Sequence, residues 1–284
     1  MTLDKTFAEL RPAMFTLAYR ITGSRSDAED IVQDAFLRLH DAEPEDPVRS
    51  LKAYLTTITA RLSLNRLRDA KARRETYMGE WLPEPLFSHE ASAVRAEDIS
   101  FALLVMLERL SPAERVVFVL RNAFELTFEE IAPIVERDAV SCRKLFSRAR
   151  QRIGAERPRF TVDRSRHRAL LRGFLQATRE QDVEAMAALL DDEVVLRGDG
   201  GGKAFATKRP VIGPRAVAQF ILAAARTLPQ AIVIDEGEIN GAPGLLVKAG
   251  GRTIVAISID TDGSRITAIF GMANPDKLAA APQA

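Results

Sequence analysis

The stretch DAVSCRKLFSRARQRI, residues 138–153, carries five arginines and lysines, yet Ala139, Cys142, Phe146, Ala149 and Ile153 recur in it at helical spacing. A narrow apolar stripe beside a broad basic face describes a helix that docks on a neighbour and turns its charge outward. Asp138 stands at the N-cap position. Just upstream, TFEE at 127–130 has the spacing of a capping box, and EIAPIVERD leaves room for only a tight turn between two helices. That order is a helix-turn-helix layout. Ala139, Cys142, Phe146 and Ala149 are expected to pack on the preceding helix through Ile131 and Val135. Ser141, Arg143, Lys144, Ser147, Arg148 and Arg152 then face outward, where guanidinium and hydroxyl groups suit phosphate oxygens and guanine edges. A solvated basic surface helix has the same pattern, and spacing alone does not separate the two readings. Pro133 removes a backbone donor, at about 3 kcal/mol in a helix interior, so the first helix of the pair is expected to kink or begin late.

Working outward, 40 basic and 39 acidic residues among 284 leave a formal charge of +1, so any preference for anions must come from local clustering. A single cysteine, Cys142, excludes an internal disulfide framework. The opening residues MTLDKTFAELRPAMF lack the apolar run of a signal peptide, and nowhere do eighteen apolar residues follow one another. The expectation is a cytoplasmic protein with no membrane partner.

Up to about residue 153 the chain reads as helix after helix. TFAELRPAMFTLAYRIT places Phe7, Leu10, Met14, Leu17 and Ile21 on one face. SRSDAEDIVQDAFLRLH follows, with Ser26 and Glu29 in capping-box spacing and Ile31, Ala35 and Leu39 as its ridge. After a proline-bearing loop at 42–50 comes LKAYLTTITARLSLNRLRDAKARR, whose C-terminal part gathers Arg61, Arg66, Arg68, Lys71, Arg73 and Arg74 against one nearby acid, Asp69. Cations there also complement the helix dipole. YMGEWLPEPLFSHE breaks the pattern as a linker, and SPAE at 111–114 opens the next helix as a capping box with proline at its first position. After GAERPRFTVDRSRH the character changes. One helical segment over about 165–190 and another over 214–226 accompany the alternating strands EVVLRGDG, QAIVIDEGEI, GLLVKAG, RTIVAISID and RITAIFGM, an α+β arrangement on an antiparallel sheet.

These stretches carry a resemblance. SRSDAEDIVQDAFLRLH resembles region 2.2 of the sigma-70 family of transcription initiation factors, and the arginine-rich helix after it resembles regions 2.3 and 2.4. LSPAERVVFVLRNAFELTFEEIAPIVERDAVSCRKLFSRARQRI resembles region 4 of the extracytoplasmic-function members. The resemblance implies core RNA polymerase and promoter DNA as partners. Asp27, Glu29, Asp30, Gln33 and Asp34 would dock on the polymerase clamp helices. Loop 42–50 with Arg61, Asn65, Arg66, Arg68 and Lys71 would capture the −10 element as it melts, and the outward face of 138–153 would read the −35 element as duplex. Glu136-Arg137 departs from the glycine-containing turn common in the family, and Tyr54 is the only aromatic of the region 2.3 helix.

The second half resembles SnoaL-like domains, a cone fold that includes small cyclases and isomerases. The expectation is nevertheless not an enzyme and no cofactor or metal. His167, in the basic run DRSRHR, is a poor place for a buried base, and Asp235 and Asp260 read as solvated carboxylates at strand ends. DGGGK at 199–203 fails as a phosphate loop, because Arg197 and Ala204 stand where a glycine and a hydroxyl are needed. WLPEP (Trp81, Leu82, Pro83, Glu84, Pro85), DGGGK (Asp199, Gly200, Gly201, Gly202, Lys203) and NPDKL (Asn274, Pro275, Asp276, Lys277, Leu278) together resemble the signatures of extracytoplasmic-function sigma factors with a fused SnoaL-like extension. In that group the extension regulates in cis. The implied organisation is multidomain: all-α sigma region 2 at 1–75, a linker with WLPEP at 76–97, all-α region 4 at 98–155, a linker at 156–163 and a SnoaL-like α+β regulatory domain at 164–284. The partners implied are polymerase, promoter, the intramolecular C-terminal domain and an unidentified small ligand. A helix-turn-helix regulator fused to a ligand-binding or enzymatic domain is the alternative.

Overall fold

The computed structural model describes residues 3–41, 51–74, 76–87, 100–154 and 163–283. These fall into two compact units, one holding 3–74 and 103–154, the other 76–87, 100–102 and 163–283. The 42–50 loop lies outside the described residues, as do the side chains of Arg73 and Arg74.

The first unit is helical: α1 Leu3–Thr22, α2 Arg25–Asp41, α3 Leu51–Arg74, α4 Phe101–Leu107 (from residue 103 onward), α5 Pro112–Ala123, α6 Phe128–Val135 and α7 Ala139–Gly154. Helices α1, α2 and α3 pack on one another over Leu17, Ile21, Ile31, Ala35, Leu55 and Leu64, all buried. Each such leucine or isoleucine contributes roughly 1.5–3 kcal/mol on leaving water. The expected box at Ser26 and Glu29 does not form. Gly23, at φ 69°, turns the chain straight out of α1, so α2 starts earlier and Ser24 becomes its cap, accepting from the Asp27 amide at 3.1 Å. Glu29 pairs with Arg25 instead, at 3.1 Å. The boxes at Ser111 and Thr127 form as expected, each with its glutamate reaching back.

Helix α6 begins at Phe128, not late, and runs through Pro133 to end two residues further on. Its C-cap, Glu136, adopts the left-handed conformation at φ 56°, where glycine is the usual residue. Helix α5 rests on α1 and α3, and α6 on α3. Arg115, 1% exposed, donates from Nε to the Arg20 carbonyl at 2.9 Å and pairs with Glu108.

The second unit contains α8 Arg164–Glu180, α9 Val183–Ala188, β1 Leu190–Asp199, β2 Val211–Ile212, α10 Pro214–Arg226, β3 Ile232–Ile239, β4 Ala242–Ala249, β5 Arg252–Thr261 and β6 Ile266–Met272. The single helix expected over 165–190 is two, parted at Gln181 (φ 56°), with Asp182 capping the second. The strands form one six-stranded sheet in the order β2-β1-β6-β5-β4-β3. The sheet is mixed, a correction to the antiparallel expectation. β3 to β6 form a meander, but β1 pairs with β6 in parallel, because the chain leaves β1 through β2 and α10 before starting again at the far edge. Phe174, Met186, Val217, Leu222, Leu245 and Ile269 form the core between helices and sheet. The fold class is therefore helical regions followed by an α+β domain.

Candidate nucleic-acid interface and the Asp199 cluster

Helix α7 is set in place from both ends. The Asp138 carboxylate accepts from the Ser141 amide at 2.7 Å and its hydroxyl at 2.8 Å, bonds that hold its pKa below the usual carboxylate value. Cys142, Ala149 and Ile153 are buried, and Phe146 lies between Phe118 (6.0 Å) and Phe128 (5.7 Å). The helix therefore docks on α5 as well as on α6. Lys144, Ser147 and Arg148 are exposed and have no partner among the described residues. Ser141 is tied to its cap. Arg143 is bonded to Glu129 at 3.0 Å and lies 5.6 Å from the Phe128 ring centre. Arg152 pairs at 2.6 Å with Glu114, whose side chain is buried.

On α3, Arg61, Asn65, Arg68 and Lys71 are exposed. Arg61 donates to the Pro133 carbonyl at 3.0 Å, so this arginine is engaged by helix α6. Arg66 bonds Asp27 at 3.0 Å and reaches Asp30 at 4.0 Å. The structure thus brings together an arginine assigned to the −10 element and two aspartates assigned to polymerase. Gln33 and Asp34 remain exposed on α2.

The three short motifs meet within the second unit. Asp199, at the end of β1, is wholly buried. Its Oδ1 accepts from the Tyr77 hydroxyl at 2.6 Å and the Gly201 amide at 3.0 Å. Its Oδ2 accepts from the Leu82 amide at 2.9 Å and Lys277 Nζ at 2.7 Å. Four donors fill the about four lone-pair positions of a carboxylate, the condition under which a buried charge is tolerated. Lys277 Nζ also donates to the Leu82 carbonyl and sits 4.0 Å from the Trp81 ring centre, a cation–π contact. The main-chain oxygen of Asp199 accepts from Ala273 and Asn274, and Asn274 Nδ2 donates to the Tyr77 oxygen at 2.8 Å. Burial, then the Asp199 carboxylate, raise the Tyr77 phenol well above its ordinary pKa, so it stays a donor.

Two glycines of the loop have no substitute. A Cβ at Gly200 would lie 2.2 Å from the Ala204 carbonyl oxygen, and one at Gly201, which has φ 61°, would lie 2.5 Å from Asn274 Nδ2. Gly202 follows in the same turn, and Lys203 pairs with Asp276 at 2.6 Å on the surface. Of the linker, Leu82, Pro83 and Pro85 are buried and Glu84 half-buried; of the terminal motif, Leu278 is buried and Pro275 exposed. Further along, Leu86 and Asn240 exchange two hydrogen bonds (3.0 and 2.8 Å), and Phe87 bridges to Ile239 on the edge strand β3.

Sequence reasoning missed Tyr77, Asn240 and the ion pair of Glu80 with Arg197. The only signal was local: Tyr77 and Glu80 flank the same tryptophan-bearing segment. Two other expectations are corrected. Asp260 is half-buried and not fully solvated, and that burial pushes its pKa up. His167 is buried on α8, 8% exposed, and burial lowers its pKa. Asp235 pairs with Lys248 at 3.0 Å. Among the described residues no group of His, Cys, Asp and Glu is arranged to hold a metal, and no helix is long and apolar enough to cross a membrane.

A helix-turn-helix on a helical unit, followed by an α+β domain, defines a class that the comparisons make explicit. The Sigma-70 region 2 model matches residues 6–73 and the Sigma-70 region 4 model residues 100–153. The ECF RNA polymerase sigma factor SigJ of Mycobacterium tuberculosis is 36% identical over 97% of this chain and 93% of its own. A probable ECF RNA polymerase sigma factor, SigI of the same organism, is 29% identical over 94% and 92%. The crystal structure of the M. tuberculosis SigJ protein matches with a TM-score of 0.78 and 32% identity over the whole of both chains. The chain belongs to the extracytoplasmic-function (ECF) RNA polymerase sigma factors, within the sigma-70 family.

Proposed function

We propose that this sigma factor binds core polymerase through the exposed side of α2, engages the −10 element with α3 and reads the −35 element with α7, and that its α+β domain regulates it in cis. For the assignment to α7, the support is a basic face carrying Lys144, Ser147 and Arg148, on a helix whose opposite side is anchored by Phe146. The domain boundaries proposed are those at 75, 97, 155 and 163. Cis regulation rests on one observation above the others: the segment joining the two sigma regions is bound into the C-terminal domain through a buried carboxylate. A linker held at Tyr77, Leu82 and Leu86 is not free to set the distance between the −10 and −35 binding regions. Release of that hold is the regulatory step, and a few kcal/mol suffices to move such an equilibrium.

A role without catalysis in the α+β domain is the companion reading. It is supported by a cavity wall of aliphatic, aromatic and small residues in which the one ionisable side chain, Arg197, is bound to Glu80. The reaction takes place in the cytoplasm, where polymerase acts. The test is transcription in vitro with purified core polymerase on a promoter library. Specific initiation is expected with the wild-type chain, and a changed output with Asp199→Ala and Lys203→Ala together. Duplex binding without initiation would establish the regulator alternative, and turnover of a small molecule the enzymatic one. Unchanged output from the double variant would remove the loop from control.

A further inference from the structure

Within the α+β domain, residues of α8, α10 and the sheet line a cavity of about 300 Å³. Its wall includes Phe174, Leu196, Phe220, Ile221, Leu245 and Ile257. A volume in this range is at the lower end of small-molecule sites. Apolar cavities of about 150 Å³ stay dry and accept a benzene ring, so this one has room for a fused-ring or branched aliphatic skeleton. Phe205, 57% exposed, stacks on Phe220 at 5.6 Å and 16° at the rim. A large exposed aromatic held against a cavity wall is a surface for an incoming apolar molecule.

Three threonines line the space. Thr178 donates to the Phe174 carbonyl at 2.8 Å and Thr227 to the Ala224 carbonyl at 2.7 Å. The Thr207 hydroxyl is buried and has no hydrogen-bond partner. A buried hydroxyl without a partner is rare in folded proteins and signals a missing group. The charge on Arg197 is taken up by Glu80, which leaves nothing in the wall to neutralise an ionic ligand.

The same wall belongs to the linker's anchor. Arg197 and Gly198 precede Asp199 on β1, and Ala204, Phe205, Ala206 and Thr207 follow the glycine loop. Gly198 is packed tightly enough that a Cβ there would meet the Thr207 nitrogen at 3.1 Å. Anything that displaces 204–207 displaces both ends of the segment that presents Asp199 to Leu82 and Lys277.

We propose that this cavity binds an uncharged, mainly apolar small molecule with one hydrogen-bonding group directed at Thr207, and that its occupancy loosens the Asp199–Lys277–Leu82 anchor. The binding half stands on the cavity alone. The relay half rests on the regulatory reading above, and the experiment separates them because neither arm uses polymerase.

In the first arm, aminoanthracene is titrated into the full-length chain and its fluorescence followed. Saturable binding to one site is expected. Ala224→Phe, which fills the space from α10, should weaken it by about tenfold or more, and Ala225→Leu by less. The smaller substitution serves if the larger unfolds the domain. Absence of saturable binding, or binding unaffected by either variant that retains the wild-type circular dichroism spectrum, overturns the site. In the second arm decanol, which is optically silent, is added and acrylamide quenching of Trp81, the sole tryptophan, is measured. Faster quenching that disappears in Ala224→Phe supports the relay. Quenching unchanged at saturating decanol overturns it and leaves the first arm's result standing.

Discussion

Replacing Asp199 by alanine isolates the interaction on which the linker's position depends. The substitution takes the counter-charge from Lys277, whose side chain is 7% exposed, and the acceptor from the Leu82 and Gly201 amides and the Tyr77 hydroxyl. Removing one partner of a buried ion pair costs about 3–5 kcal/mol, most of it the desolvated charge left behind. The linker has a less costly alternative, which is to lift away and let Lys277 reach water. The loss should therefore appear as local opening and not as unfolding of the sheet. Hydrogen exchange at the Leu82 amide reads this directly. With each 1.4 kcal/mol worth a factor of ten, its protection should fall by roughly a hundred- to a few-thousand-fold, while amides of β4 and β5 keep theirs. Lys277→Met tests the pair from the other side, leaving Asp199 buried with three donors. Because both changes act on one network, the double variant should lose less than the sum of the singles, by about 1–3 kcal/mol. Leu82 exchange indistinguishable from wild type, or strictly additive effects, would refute the reasoning.

Glu136→Gly should stabilise the helical unit by about 1 kcal/mol, since the left-handed C-cap of α6 then carries no Cβ; a higher urea midpoint for the helical transition checks it. Arg148→Ala should weaken binding of polymerase holoenzyme to promoter duplex and lower the slope of log affinity against log salt by about one if the side chain meets a phosphate. His167 is neutral in its buried site with a pKa below its ordinary 6.5, so the unfolded chain takes up the proton first as pH falls. Its contribution to stability is complete above that value and lost beneath it, so wild type should lose more stability than His167→Gln between about pH 7 and 5. Asp260 shifts upward and acts in the opposite sense in both proteins, so the difference between their denaturation curves isolates the imidazole.

Much of the helical unit was legible because its signals are local. Capping residues act over three positions, so the boxes at Ser111 and Thr127 could be read directly, and Asp138 likewise. The one failure, at Ser26, came from Gly23, whose positive φ moved the helix start to a neighbouring serine. Strands were found by alternation, but alternation carries no information on which strand lies beside which. The parallel pairing of β1 with β6 depends on a crossover through α10. Burial of His167 and Asp260 was misread for a related reason. A polar residue in a charged run, or at a strand end, looks solvated until the element packed over it is known.

By itself the sequence determined that this chain has a helix-turn-helix with a basic outward face, that an arginine-rich helix precedes it, and that three unusual motifs stand at 81–85, 199–203 and 274–278. Tertiary structure alone decided that those motifs are one site. Asp199 and Leu82 are 117 residues apart and Asp199 and Lys277 78, and no periodicity spans such distances. Only a folded sheet that carries β1 beside β6 places the amide and the ammonium each within 3 Å of the carboxylate, where burial makes the satisfaction of that charge a requirement.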